Sequence, residues 1–256
     1  VNPPIVPRSF FGASGTPSRS SSAIYMGNLA HREIDYLLEI ASRVRQLLPG
    51  FTLTIYADAT EQQRNEVSGA VVGAGLQEVV SLRPPVAHRE LPALLGSADV
   101  LLLPRASGEF SSAGFPNKLG EYLSSGRPVV VTAVGDIPRH LSDRCHAYLV
   151  PPDDTEGFAA AVVDVLTDQD AADEIGRAGR EVAEQLADSG NVAQRLLQLL
   201  RSVPPVTGPQ RTTQASWLYA ILYMFDVTVP SLKRFTVRVL RVLRLKPPAP
   251  ESECQR

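Results

Sequence analysis

A short segment near the middle of the chain places an amide, an ammonium and a carboxylate close together. It reads GFPNKLGE over residues 114–121. Pro116 is typical of the first turn of a helix, because its missing N–H costs nothing there. Asn117 and Lys118 then lie beside the positive end of the helix dipole, which favours a bound anion. A cation is locally unfavourable at that position, so Lys118 indicates either a bound diphosphate or simple exposure to solvent.

Glu121 follows Lys118 by three residues and therefore shares its face of the predicted helix. A carboxylate in such a crevice accepts the two hydrogen bonds of a ribose diol, although a single helical glutamate is more often only solvated. A second candidate is Gly27, which ends a predicted strand where the chain turns into a helix. A residue without a Cβ allows close approach to a ligand there, or serves only the turn. Arg32, at the start of that helix, presents a planar fork of donors to a phosphate or remains a solvated arginine.

An α/β scaffold accounts for these positions. Apolar runs without period-2 alternation predict strands that alternate with helices, which indicates a Rossmann-like parallel sheet with helices on both faces. Ligands of such sheets gather at the carboxyl ends of the strands. We expect strands at 23–28, 51–57, 78–82, 100–103, 128–132 and 147–150, and helices at 34–48, 61–74, 88–95, 136–141, 155–166, 169–188 and 191–203, with one more helix beginning at 114–118.

The composition predicts three regions. Residues 1–22 are rich in Pro and Ser and indicate a linker from an N-terminal domain that is missing, since the chain also lacks an initiator Met; 23–203 form the ligand-binding domain; and 204–256 form a C-terminal extension. We therefore expect a fragment of a longer protein. Cys145 and Cys254 are too far apart in sequence to suggest a disulfide or metal framework, which favours a reducing, cytoplasmic compartment.

Charge and motifs exclude several classes of function. The net charge is −2, but 231–246 carry six basic residues and no acid, which leaves about −7 on 1–230 and argues against nucleic acid as a partner. GxSxG, HExxH, GxGxxG and Walker A sequences are absent, and the histidines show no catalytic pairing. From the residues alone, the prediction is a crevice for an anion or a nucleotide.

The C-terminal extension has a predicted basic amphipathic helix. The apolar run 217–225 is far shorter than the ~20 residues of a membrane span. In 231–246, Arg234, Arg238 and Arg241 share one helical face, which suits an interface with anionic lipids. The alternative is that the apolar run packs on the missing domain and the arginines are solvated.

Three stretches carry a resemblance to a known family. YMGNLAHREIDYLLEIA, HRELPALLGSADVLLLP and GFPNKLGEYLSSGRPVVVTAVGDIP follow one another in that order. Over 23–203 the chain resembles the nucleotide-sugar-binding half of a GT-B fold retaining glycosyltransferase of family four (glycosyl transferases group 1), and its central motif is similar to an FPNKLxEYL-type subgroup.

The resemblance implies roles for particular residues. Gly27 would face phosphate, and Arg32 would be the basic residue of the next helix, one position earlier than usual. Asn28 stands where an arginine commonly follows the glycine, so one phosphate contact is missing or replaced. Glu121 would hold the ribose, and Ala113 stands where the family has a second Glu that touches the donor sugar. The remaining donor-site residues would be Gly114, Phe115, Pro116, Asn117, Lys118 and Leu119.

The resemblance also implies an activity. A hexose would pass with retention from a nucleotide sugar, such as a UDP- or GDP-hexose, to a lipid-linked or polysaccharide acceptor, without metal or cofactor. Arg32 and Lys118 would be catalytic, because they stabilise the leaving diphosphate. The acceptor-binding half would precede this chain, which alone would bind donor without transfer. We expect a cytoplasmic protein, peripheral on the inner face of the plasma membrane. The alternatives are a non-catalytic nucleotide-sugar-binding or interaction module, and a nucleotide-sugar epimerase on the same fold.

The basic segment 231–246 gives a first test. If it contacts membranes, liposomes containing anionic lipid will sediment the intact chain and leave a variant truncated at Pro204 in the supernatant. Liposomes of neutral lipid serve as the control. Equal partitioning of the two proteins would contradict membrane contact and favour packing on another domain.

Overall fold

A six-stranded parallel sheet forms the core of the described residues. The computed structural model describes residues 5–12, 17–27, 29, 31–108 and 116–202. Every paired strand runs parallel to its neighbour, in the order β3-β2-β1-β4-β5-β6. The strands are β1 (Ser22–Met26), β2 (Thr52–Tyr56), β3 (Val80–Arg83), β4 (Val100–Leu103), β5 (Val129–Thr132) and β6 (Tyr148–Val150). The predicted α/β class is confirmed.

Helices lie between successive strands, before the first strand and after the last one. They are α1 (Ser9–Gly12), α2 (His31–Leu47), α3 (Glu61–Gly73), α4 (Leu91–Ser97), α5 (Asn117–Ser124), α6 (Ile137–His140), α7 (Thr155–Thr167), α8 (Gln169–Ala187) and α9 (Ser189–Ser202). In the described residues no helix is both long and apolar enough to cross a membrane.

Each face of the sheet has its own hydrophobic core, because alternate residues of a strand point to opposite faces. In β4, Val100 and Leu102 pack with α2, α3 and α7, whereas Leu101 and Leu103 pack with α1, α4, α5, α6 and α8. All four residues are at most 6% exposed. Burial on both faces explains why the strands read as continuous apolar runs rather than as alternating ones.

The strand order reverses direction between β1 and β4. The chain adds β2 and β3 on one side of β1, and then crosses to lay β4, β5 and β6 on the other side. The two connections that leave β1 and β4 therefore diverge at the carboxyl edge of the sheet. In open α/β sheets this switch point is where ligands bind.

The starts of α2 and α4 each differ by three residues from the predicted positions, at His31 instead of 34 and at Leu91 instead of 88, whereas α5 begins within the predicted 114–118. The helix expected at 88–95 is α4, which begins at Leu91 and has Pro92 in its first turn. Pro116 is the N-cap of α5, with extended backbone angles (φ −66°, ψ 132°), and the helix itself begins at Asn117. A proline has no N–H to donate and therefore suits the start of a helix, which favours a boundary beside each of these prolines.

Parts of the stretch 1–22, predicted as a linker, pack against the domain. Val6 and Phe10 are each 1% exposed and belong to the core on the α5 face. The backbone of Val6 donates to Ala187 at 2.8 Å and accepts from Ser189 at 3.0 Å, at the junction of α8 and α9. A Pro- and Ser-rich composition predicts a linker and gives no sign of these packing contacts.

A buried carboxylate fixes the entry to β1. Asp99 is 1% exposed and accepts hydrogen bonds from Arg19 N (2.6 Å), Ser20 N (2.9 Å), Ser22 N (3.0 Å) and the Ser18 hydroxyl (2.8 Å). Burial raises the pKa of Asp99, but these hydrogen bonds outweigh burial and hold the pKa below its ordinary value. The amino edge of the sheet is therefore tied to residues 18–22 by an ionised side chain.

The chain divides into two units, Val1–Leu197 and Gln198–Arg256. The described residues of the second unit, 198–202, are helical. The predicted C-terminal extension 204–256, with its apolar run and basic helix, lies outside the described residues.

The lowered pKa of Asp99 makes a prediction about acid stability. The Asp99→Asn variant should lose about 2–4 kcal/mol of unfolding free energy near neutral pH, because donors to a charged acceptor lose their partner. A depressed pKa stabilises the fold above the unfolded value of about 4, so the difference from wild type should shrink as pH falls below that.

Urea titrations at a series of pH values measure this difference. Asp35→Asn removes an exposed carboxylate of α2 and is the matched control, with little expected change. A difference between wild type and Asp99→Asn that stays constant down to pH 2 would contradict the account.

Candidate functional site

A cleft opens at the carboxyl edge of the sheet, at the switch point. Its volume is about 650 Å³, within the range of small-molecule sites. The ends of β1, β2 and β4 form its floor, and the start of α5 forms part of its wall. The described residues that line it are Tyr25, Met26, Gly27, Glu33, Tyr56, Ala57, Asp58, Pro85, Val86, Leu91, Leu103, Pro104, Arg105, Pro116, Asn117 and Lys118.

Gly27 lies in the cleft, directly after β1. The side chain of Tyr25 gives a structural reason for glycine at this position. A Cβ at Gly27 would collide with the phenol of Tyr25, whose hydroxyl occupies that space. Tyr25 is 3% exposed, so its ring has little room to move aside. The absence of a side chain at Gly27 therefore admits the Tyr25 hydroxyl to the floor of the cleft.

The Tyr25 hydroxyl interacts with both an acid and a cation. Burial raises its pKa, and the charge of Glu33 and a hydrogen bond with the Glu33 side chain raise it further, whereas the charge of Arg105 opposes the shift. The phenol therefore stays protonated at neutral pH. All three side chains line the cleft, and they come from β1, the first turn of α2 and the segment after β4.

The start of α5 brings Asn117 and Lys118 to the cleft. Pro116 is the N-cap and has no side-chain acceptor to offer, so no side chain of its own caps the helix. The first N–H groups of a helix and its dipole attract an anion when they are directed at a crevice. Lys118 Nζ donates to Glu121 Oε2 at 3.2 Å, with side chains 38% and 21% exposed.

Glu121 and Leu119 differ in how they relate to the cleft. Glu121 reaches the site through its ion pair with Lys118, because the pair at i and i+3 shares one helical face. Leu119 was predicted as a donor-site residue, but its side chain is fully buried in the core on the α5 face. Its side chain anchors the helix and does not face the cleft, since an apolar group gains more from that burial.

A buried hydrogen bond joins α5 to the end of β1. Tyr122, 0% exposed, accepts the N–H of Met26 at its hydroxyl oxygen at 2.7 Å. The next N–H, that of Gly27, donates to Tyr56 O in β2 at 3.2 Å. Because alternate N–H groups of a strand point to opposite sides, the Met26 N–H points toward β4, where the strands diverge. The phenol therefore supplies the acceptor that β4 no longer provides.

Several predicted site residues lie outside the described residues. These are Asn28, Gly114 and Phe115, together with Ala113. Arg32 is the second residue of α2, at the cleft end of that helix, but its side chain lies outside the description. Their predicted roles stay predictions.

Sequence reasoning missed Tyr25, Glu33, Arg105 and Tyr122. Arg105 carries a usable signal, because a basic residue two positions after a buried strand lies at the carboxyl edge of a parallel sheet. Tyr25 and Tyr122 carry no such signal, since a tyrosine within a strand or a helix predicts only a position in the core. Their roles depend on which strands are neighbours.

The fold matches that of GT-B glycosyltransferases of known structure. The crystal structure of TarM from S. aureus, in complex with UDP among other ligands, aligns with a TM-score of 0.60 at 17% identity, over 73% of this chain and 37% of that chain. The HepE structure from Anabaena with UDP-glucose gives 0.60 at 20% identity, over 72% and 49%. The C-terminal domain of LpcC, a glycosyl transferase group 1 family protein from Francisella tularensis, gives 0.57 at 19% identity, over 70% and 95%.

Residues 20–168 match the family model described as Glycosyl transferases group 1, and the chain belongs to this family. A D-inositol 3-phosphate glycosyltransferase of Paenarthrobacter aurescens is 32% identical over 54% of this chain and 33% of its own length. A glycogen synthase of Mycobacterium tuberculosis is 27% identical over 67% and 40%. The chain thus spans between a third and two fifths of the length of these relatives.

The bond between Tyr122 and Met26 can be tested by one substitution. Tyr122→Phe should lose about 1–3 kcal/mol of unfolding free energy, because a buried N–H loses its acceptor. Amide hydrogen exchange by NMR should accelerate most at Met26 and Gly27. Tyr148→Phe, on the edge strand β6, is the matched control. Unchanged exchange at Met26 in Tyr122→Phe would show that the phenol does not hold β1.

Proposed function

We propose that this chain is the donor-binding domain of a glycosyltransferase and binds a nucleotide sugar in the cleft at the β1–β4 switch point. The observation that carries the proposal is the convergence of Gly27, Asn117 and Lys118 at one edge of the sheet, with the N-terminus of α5 facing the same space. Membership of the glycosyl transferases group 1 family supports the ligand class.

The geometry supports an assignment of each part of the ligand. The diphosphate lies near Gly27 and the first turn of α5, where N–H groups and the Lys118 ammonium balance its charge. The ribose diol lies near Glu121, one turn further along α5. The base lies toward β3, where Pro85, Val86 and Leu91 give the cleft an apolar wall.

Ligand binding would replace the ion pair between Lys118 and Glu121. In the free protein each of these side chains partly neutralises the other at 3.2 Å. A nucleotide diphosphate offers a better partner to each of these two side chains. Its phosphate oxygens accept hydrogen bonds from the Lys118 ammonium, and its ribose hydroxyls donate to the Glu121 carboxylate. The pair therefore prepares two contacts without leaving an unpaired charge.

The proposed reaction is transfer of a hexose from a UDP- or GDP-hexose with retained anomeric configuration. The bond between the anomeric carbon and the diphosphate oxygen breaks and the diphosphate keeps the electron pair. An acceptor hydroxyl oxygen forms the new bond to the anomeric carbon and loses its proton to the leaving diphosphate. Lys118, Arg32 and the α5 N–H groups would stabilise the leaving diphosphate without a metal ion. A glycan or lipid-linked acceptor would be bound by an N-terminal half, and 231–246 would contact the cytoplasmic face of a membrane.

Calorimetric titration tests the proposal directly. Without metal, this chain should bind UDP or GDP and the corresponding sugar conjugate. Glu121→Ala and Lys118→Ala should each weaken binding about 10-fold or more, the effect of losing a charge-assisted hydrogen bond. The Glu39–Arg43 ion pair of α2, exposed and remote in sequence, is the matched control: Glu39→Ala and Arg43→Ala should leave affinity unchanged.

Two results would contradict the proposal. One is that neither nucleotide binds to this chain or to a longer chain that includes an acceptor-binding half. The other is that UDP or GDP binds with an affinity that Glu121→Ala and Lys118→Ala leave unaltered, which would place the nucleotide elsewhere.

A further inference from the structure

We infer that Arg105 binds the diphosphate of the nucleotide sugar from the β4 side of the cleft. This inference rests on the proposed function and adds a phosphate-binding residue that the sequence motifs did not indicate. Arg105 follows β4 by two residues, lines the cleft and is half-buried.

The backbone around Arg105 is held in place by the neighbouring strand. The Arg105 N–H donates to the hydroxyl of Thr132 at 2.9 Å, and Thr132, the last residue of β5, is fully buried. Two residues on, the Ser107 N–H donates to Asp153 Oδ1 at 3.1 Å. A side chain on a fixed backbone loses less entropy when it binds a ligand, which suits a binding residue.

The strand register brings Arg105 and Gly27 to the same part of the cleft. Tyr25 pairs with Leu102 across the β1–β4 ladder, so the segments after Met26 and after Leu103 leave the sheet at the same edge. Both Gly27 and Arg105 line the cleft. The charge of Arg105 acts on the hydroxyl of Tyr25, and that hydroxyl occupies the space beside the Gly27 Cα. The guanidinium is thus within electrostatic reach of the position proposed for the phosphates.

The charges of the cleft call for such a cation. Four charged side chains line its described part, namely the acids Glu33 and Asp58 and the bases Arg105 and Lys118. Lys118 already shares its charge with Glu121. A diphosphate brings about two to three negative charges close to Glu33, so a further cation in the cleft lowers the electrostatic cost of binding it there.

Arginine is suited to this position. Its planar fork donates two parallel hydrogen bonds to phosphate oxygens, which a lysine does not.

The test compares ligands that differ only in phosphate number. Uridine, UMP and UDP, and in parallel guanosine, GMP and GDP, are titrated into wild type, Arg105→Ala and Arg105→Lys. The diphosphate to compare is UDP or GDP, whichever the wild-type protein binds more tightly. Arg105→Ala should weaken its binding 10- to 100-fold, and Arg105→Lys should weaken it by a smaller factor. The nucleoside should bind all three proteins alike. Arg64→Ala, an exposed arginine of α3, controls for net charge and should change nothing.

The outcomes separate this inference from the proposed function. If wild type binds the diphosphate and Arg105→Ala binds it equally well, the inference is overturned while the proposed function stands. If Arg105→Ala weakens the nucleoside as much as the diphosphate, Arg105 supports the shape of the cleft and the inference is again overturned. If wild type binds no nucleotide even as part of a longer chain, both fail. Arg105→Lys keeps the charge and so keeps the test informative if the alanine variant folds poorly.

Discussion

The hydrogen bond between the Met26 N–H and the Tyr122 hydroxyl joins the two parts of the fold that make the cleft. β1 and β4 must diverge at their carboxyl ends to leave room for a ligand, and divergence deprives a buried N–H of its strand partner. An unpaired buried N–H is costly, so the fold supplies an acceptor from α5. The same bond fixes the start of α5, with Lys118, relative to the loop that begins at Gly27. One hydrogen bond therefore both allows β1 and β4 to diverge and positions the α5 wall of the cleft.

The two edges of the sheet have different tasks. At the amino edge, Asp99 satisfies donors from 18–22 and stays charged because those donors surround it. At the carboxyl edge, Glu33, Arg105 and Lys118 lie in a cleft that solvent reaches. The charge at the amino edge is fully hydrogen-bonded within the protein. The charged side chains at the carboxyl edge can replace their contacts within the protein by contacts with a ligand. That contrast is why we assign function to the second edge alone.

Much of the fold could be predicted from the sequence, because strands buried on both faces give apolar runs whose ends lie within two residues of the observed ones. The starts of α2 and α4 each lie three residues from the predicted ones, because apolar spacing marks the buried face of a helix and not its first residue. Of the site, Gly27 and Lys118 were predicted because their types and positions carry local signals. Tyr25 and Arg105 were not predicted as site residues, because their proximity depends on β1 and β4 being neighbours. No single segment of the sequence determines the order of the strands in the sheet.

A crystal structure of this chain with UDP or GDP, whichever calorimetry selects, would test the central claim most directly. The account predicts the diphosphate at the β1–β4 switch point, in hydrogen-bonding distance of the α5 N-terminus, with Lys118 Nζ moved from Glu121 to a phosphate oxygen. A nucleotide bound outside this cleft, or bound within it with its phosphates turned toward β3 and the Lys118–Glu121 pair intact, would contradict it.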